Sequence, residues 1–414
     1  MEATSTEYGE LKSAEQSGRY AEVIAGVRSA IDVDRRKALS DRWTQGWIGR
    51  RWRNLFIANA ETDPAAIDAV RRFAGLPVKF TTGPMRERLT RRFLGDDRLD
   101  EVHFDMPPTE IERLDDTTIL FAPGLLTGLL PALAFESVWP GIEERLGVRV
   151  IAADSHPGRG CDSNTADIMR ALRAGEGYDA HSQLRQGVDA IPRSGTVLAM
   201  GYSKGAPDLL HAMRMFPEEM SQLTAVITWA GAVGGSYLAD GIYDKVRHLP
   251  LERLVPDSNL ARSLQRLVPV ADLRGMSRRL DEYDWKAAIH DLTTTASTRW
   301  LADNAAAIDE LDVPFFGVAG RTTLHEVPSF EIESMIELNR HDVVNDMQLV
   351  HAQAQVPAPM VTELGVVHAH HWDMSYDTFP RALRMTSFNL DHRFARAAAL
   401  TALFQLMGEL GLAH

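Results

Sequence analysis

TVLAMGYSKGAPDLLHA, residues 196–212, sets an apolar run against a glycine-flanked serine and follows it with a helical pattern. Thr196–Met200 is apolar enough for a buried strand, and Pro207 and Asp208 suit a first helical turn, where a missing N–H and a negative charge are both favourable. A G-x-S-x-G pattern arises by chance about one time in ten in a chain of 414 residues, so its setting has to decide. Here the setting is strand–turn–helix, in which a sharp turn lifts the Ser203 hydroxyl above a sheet while Gly201 and Gly205 let strand and helix approach. Ser203 also sits at a helix start, so the Lys204 amide points where a developing oxyanion would be held. The Lys204 side chain is expected at solvent or at a pocket rim, with no chemical role.

Outward from that turn, short β-rich runs alternate with helical patterns from about residue 77 onward: EVHFDM, TTILFA, VRVIAA, TVLAM, TAVITWA, PFFGVA and TELGVV. Runs that are apolar almost throughout predict strands buried on both faces, hence an α/β, doubly wound, mostly parallel sheet. About 75 residues rich in Leu, Arg and Asp interrupt the alternation between TAVITWA and PFFGVA. That is too long for a plain loop and reads as an inserted helical cap. Residues 1–75 show helical periodicity. Trp43, Trp47 and Trp52 among arginines are read there as packing against the body, with Arg at the rim. The expected organisation is an N-terminal helical segment 1–75, a core in two parts, 76–236 and 309–414, and a cap at 237–308.

Composition narrows the class. The chain is 45% hydrophobic and 24% charged, ordinary for a globular protein with a sizeable core. A net charge of −13 repels phosphate backbones, which argues against nucleic acid as a partner. The polar start predicts no signal peptide, no run is long enough for a membrane helix, and the single cysteine, Cys161, cannot form an internal disulfide. A cytoplasmic protein with no integral membrane segment is expected; a homo-oligomer is left open.

With LFAPGLLTG (residues 120–128), VRVIAADSHPGRGCDSN (148–164), GYSKG (201–205) and the segment DLTTTASTRWLADNAAAIDELDVPFFGVAG (291–320) in this order, the chain resembles the α/β-hydrolase family on its lipase and esterase side, over roughly residues 115–414. The resemblance implies that Pro-Gly-Leu-Leu is the oxyanion loop, in a single-glycine version rather than H-G-G-G. Leu125 then gives the second amide donor, with Leu126 as the alternative. Asp154, Gly158 and Gly160 match a loop-shaping pattern stretched by a residue.

A serine needs a base to take its proton, and the base needs a carboxylate to fix its tautomer. The family order is Ser, then acid, then His. NDMQLV singles out Asp346 as the acid, with Asp342 the nearest competitor and Asp240 a further alternative. Three histidines, His368, His370 and His371, crowd the last strand end. His371-Trp372-Asp373 matches the lipase pattern, so His371 is the expected base and His370 the alternative. His368 is expected to lie too close to the strand. A zinc on H-x-H-H has no cysteine and no H-E-x-x-H to support it, so neither metal nor cofactor is expected.

These residues imply two-step acyl transfer by Ser203, Asp346 and His371, with an oxyanion hole at Leu125 and Lys204. The substrate would be a small-molecule ester or thioester with a hydrophobic part. An acyltransferase, thioesterase or lactonase would use the same groups. A non-catalytic α/β-hydrolase scaffold serving as a binding module is the alternative from another class.

Overall fold

The computed structural model describes residues 4–73, 76–77, 83–100, 106–107, 112–125, 127, 130, 132–193, 195–248, 279–379 and 393–414. Ten strands run along it: β1 Arg72–Phe73, β2 Leu76–Pro77, β3 Thr117–Ala122, β4 Arg149–Ala152, β5 Gly177–Tyr178, β6 Leu184–Arg185, β7 Thr196–Tyr202, β8 Leu223–Trp229, β9 Phe315–Arg321 and β10 Val361–His368. The first two form a small hairpin; the other eight form one sheet in the order β10-β9-β8-β7-β3-β4-β5-β6. From β10 to β4 every neighbouring pair is parallel, and β5 and β6 add a short antiparallel edge. The predicted apolar runs from TTILFA to TELGVV all fall on parallel strands, whereas EVHFDM lies largely outside the described residues.

Alternation along the strands sorts side chains onto two faces. Ile119, Phe121, Leu198, Met200, Ile227 and Phe316 belong to one apolar cluster. Their neighbours Leu120, Ala122, Val197, Ala199, Val226 and Phe315 belong to the other. The second face is covered by α8 (Cys161–Ala174), α9 (Gly205–Met215) and α10 (Pro217–Met220), and by α13 (Thr294–Asp309). The first is covered by α7 (Trp139–Leu146) and α15 (Arg396–Glu409) and by α3 (Arg35–Ser40), α4 (Arg42–Ala60) and α6 (Met85–Phe93) of the N-terminal part, whose other helices, α1 (Thr4–Gln16), α2 (Tyr20–Val33) and α5 (Pro64–Ala69), extend the same apolar cluster outward. Two further helices, α11 (Tyr237–Val246) and α12 (Trp285–His290), lie in the predicted cap region, and α14 (Ile332–Leu338) follows β9.

Helix α4 is a wall of the main core. Asp41 caps it by accepting from the Thr44 amide at 2.9 Å, and Trp47 and Trp52 are fully buried. A Cβ on Gly49 would lie 2.8 Å from the Glu363 carbonyl oxygen, so α4 rides directly on the backbone of β10. The tryptophans pack as expected, but the arginines do not all stay at the rim. Arg51 is buried and paired with Glu409 of α15 at 2.5 Å, and Arg53 donates to the Leu364 carbonyl at 2.7 Å. Arg53 satisfies a carbonyl freed at the register shift of β10 between Glu363 and Gly365, and Arg51 satisfies the carboxylate at the end of α15; an apolar side chain would leave both bare.

Candidate active site

Ser203 stands in the turn between β7 and α9 with φ of +54°, a left-handed conformation that costs a non-glycine residue of order 1 kcal/mol or more. The surroundings hold it there. Its amide donates to the Trp229 carbonyl at 3.2 Å, and its own carbonyl accepts from Ala232 at 2.9 Å and Ala206 at 3.2 Å. The tightness of the turn explains its glycines. A Cβ on Gly205 would collide with the Ala122 carbonyl oxygen, and one on Gly201 would lie 2.6 Å from the Ala206 Cα. Gly124 of the predicted oxyanion loop comes equally close, since a Cβ there would sit 2.9 Å from the Ser203 Cβ. Leu125 therefore follows a residue in contact with Ser203, and Thr127 Oγ1 fastens this loop by donating to the Gly124 carbonyl at 2.7 Å. Leu126 lies outside the described residues.

Asp346 and His371 meet directly, with Nδ1 of the imidazole 2.7 Å from Asp346 Oδ2. A carboxylate only accepts, so Nδ1 carries the hydrogen, and the neutral ring keeps its lone pair on Nε2. The other carboxylate oxygen, Oδ1, accepts from the amides of Gln348 at 3.0 Å and Leu349 at 2.8 Å. This is a tight turn in which Met347 has φ of +74°. The His371 amide also donates to the Asp346 carbonyl at 2.8 Å. Both side chains are buried. Tyr202, immediately before the serine, stacks on the imidazole with ring centroids 5.1 Å apart. Its hydroxyl donates to the His371 carbonyl at 3.0 Å, and burial pushes its own pKa well up. The base candidate is thus tied to the residue next to Ser203.

The alternatives bond elsewhere. His370 accepts from the Asp373 amide through Nδ1 at 3.1 Å. Asp373 receives the Phe394 amide at 2.7 Å, which ties the strand end to the run into α15. His368 ends β10 and pairs with Glu326, which also faces Arg92 at 3.2 Å. Burial alone would raise the Glu326 pKa, but His368 and Arg92 hold it below the usual range. Asp342 caps its own loop through the Val344 amide at 2.8 Å. Asp240 is not beside a strand end; it lies in the first turn of α11 and accepts from the Thr294 amide and hydroxyl at 2.8 and 2.7 Å.

Lys204 corrects the expectation of an exposed side chain. It is 1% exposed, and its ammonium meets Asp208 at 2.6 Å, one turn along α9. Burial would pull the lysine pKa down, but the Asp208 carboxylate holds it above its usual value. Asn164 of α8 donates to the other Asp208 oxygen at 2.9 Å, so the turn after the serine is anchored to the neighbouring helix. The Lys–Asp spacing of four residues was the available signal. Tyr202, Asn164 and Glu331, a buried acid near His371, carry no local pattern that singles them out. Among the described residues no three His, Cys, Asp or Glu side chains converge as metal ligands.

The architecture has known counterparts. The metagenomic carboxyl esterase MGS0156 superposes with a TM-score of 0.58 at 20% identity, covering 87% of this chain and 91% of that one. The chain has the α/β-hydrolase fold. Two other similar structures are the mature Bacillus licheniformis lipase BlEst2 (TM-score 0.40, 18% identity, 64% of this chain and 89% of that one) and the phospholipase PlaB of Legionella pneumophila (0.33, 12% identity, 58% and 46%). Those two scores are too low to bear on the assignment. No protein-family model matches this chain, and no curated protein matches it in sequence. Among its described residues, no helix is long and apolar enough to cross a membrane.

Proposed function

We propose that the protein is a serine hydrolase that cleaves a carboxylic ester through an acyl-enzyme on Ser203. The observation that carries this reading is the buried His371–Asp346 hydrogen bond at 2.7 Å, joined through the Tyr202 ring to a serine in a strained turn at a helix start. His371 Nε2 takes the hydroxyl proton as Ser203 Oγ attacks the ester carbonyl, and Asp346 stabilises the imidazolium. The amides of Lys204 and Leu125 hold the oxyanion; one such donor is worth roughly 10²–10³ in rate. The alcohol leaves with the proton from His371. Water, deprotonated by the same nitrogen, then releases the acid and frees Ser203.

The substrate side is apolar. Leu125 packs with Ala232, Leu349 and two cap-region residues, Ala239 and Leu292. Ala232 bonds the Ser203 carbonyl and Leu349 bonds Asp346, so this apolar group borders both ends of the proposed triad and suits a hydrocarbon acyl or alcohol part. The test is labelling by a fluorophosphonate probe, expected in the wild type and lost in Ser203→Ala; equal labelling of both would refute the assignment. Among p-nitrophenyl esters, kcat/KM should rise from acetate to medium chains. Activity on acetate alone would refute the apolar pocket.

A further inference from the structure

Glu331 is a carboxyl group that the proposed acyl transfer leaves unused, and it is buried beside the base. It closes the one-turn 3₁₀ helix Ser329–Glu331 and is 5% exposed. Its neighbour Phe330 packs on Trp372, the residue after His371, with ring centroids 5.8 Å apart. Ser334, His371 and Gln348 each favour the ionised form of its carboxyl. The Gln348 amide is one of the two that hold Asp346. Glu331 is therefore bracketed by the chain next to both members of the His371–Asp346 pair.

The remaining charged groups of the adjoining elements are engaged elsewhere or exposed. Glu326 belongs to His368 and Arg92. On α11, Asp240 is turned to Thr294 and Tyr237 stacks on His341 at 3.6 Å. On α14, Glu333 is exposed and Glu337 pairs with Arg340. His371, backed by Asp346, is the titratable partner left beside Glu331. Burial raises the Glu331 pKa to about 7, against the opposing pull of Ser334, His371 and Gln348. An acid kept in such a place costs stability once ionised, and perturbed carboxyls of this kind concentrate at functional sites.

We propose that Glu331 is a positioning residue for the base, its carboxylate stabilising the imidazolium that His371 becomes on taking the Ser203 proton. The proposal rests on the serine-hydrolase reading above. Its test is the pH dependence of fluorophosphonate labelling at Ser203 in the wild type, Glu331→Gln and Glu331→Asp, with Ser203→Ala as blank. Glu331→Gln keeps shape and loses charge. Labelling at pH 8 should slow about tenfold and the acid limb should move down by about one pH unit, the effect of one nearby charge. Glu331→Asp, which keeps the charge, should hold the limb near its wild-type position.

Stability should move the other way. The folded pKa is raised above the ordinary 4.5, so the contribution present below that value is lost as pH rises through about 7. Glu331→Gln escapes that loss, and its Tm should exceed wild type by a few degrees at pH 8 and match it near pH 4. A variant that labels at the wild-type rate with the wild-type limb overturns the proposal, whatever its Tm. Absence of Ser203-dependent labelling in the wild type overturns the hydrolase reading and this role with it.

Discussion

Two histidine–carboxylate pairs stand at the end of β10: His368 with Glu326, and His371 with Asp346. Their chemistry is alike and their surroundings are not. Glu326 is held ionised by His368 first and by Arg92 at 3.2 Å as well, so its charge is divided between two partners, and His368 is partly open to solvent. Asp346 is held by two neutral backbone amides and has one side-chain partner, the His371 imidazole on which Tyr202 stacks. A pair becomes a candidate for catalysis when its carboxylate has no other cation to satisfy and its ring packs on the residue next to the proposed nucleophile, as His371 does on Tyr202. Lacking those, it is a structural tie between β10 and the loop after β9.

The sharpest way to break that contrast is to remove members of the second pair and of the elbow. Ser203→Ala and His371→Ala should each lower kcat by roughly 10⁶-fold, and Asp346→Asn by about 10⁴-fold, because the ring then loses its tautomer and its stabilised cation. His370→Ala should keep a substantial part of the activity. If His371→Ala stayed within tenfold of wild type while His370→Ala did not, the base would move by one residue.

The first pair should respond in stability instead. His368→Gln and Glu326→Gln are expected to cost about 1–3 kcal/mol, as for a buried charged group that loses its partner, with kcat/KM within a few-fold of wild type. The Glu326 pKa is lowered in the fold. Its stabilisation is therefore complete above its ordinary value of 4.5 and is lost as pH falls through the depressed folded value. Glu326→Gln should remove that acid-side loss from the profile of Tm against pH. A large activity loss with unchanged stability would erase the distinction between the pairs.

The parallel strands are legible in the sequence because burial on both faces makes them apolar throughout. The antiparallel edge, β5 and β6, is not legible, since strands of two residues carry no period. The order serine, acid, histidine nominates the groups of the candidate site but cannot separate His370 from His371. That choice depends on a turn that sends one Nδ1 to the Asp373 amide and the other to Asp346. Arg51 is illegible for a different reason: its partner Glu409 lies 358 residues away, and nothing local marks an arginine as buried. Lys204 is legible only in part, because a lysine four residues before an aspartate predicts a pair but not that the pair is buried against Asn164.

The smallest expected effect concerns the acids that compete with Asp346 in the sequence. Asp240 holds the first turn of α13 through the Thr294 amide and hydroxyl, so Asp240→Ala should cost about 1 kcal/mol, as the loss of a helix cap does. Asp342 ties its own loop through the Val344 amide, and Asp342→Ala should cost less, about 0.5 kcal/mol. Neither carboxylate is bonded to an imidazole of the 368–371 cluster, and kcat/KM for a p-nitrophenyl ester should stay within about twofold in both variants. Chemical denaturation of each variant gives the stability change and initial rates give the activity. A thousandfold loss of rate in Asp240→Ala, with Asp346→Asn still active, would mean that the acid sits on α11 and that the Asp346–His371 bond is only a tie like that of Glu326.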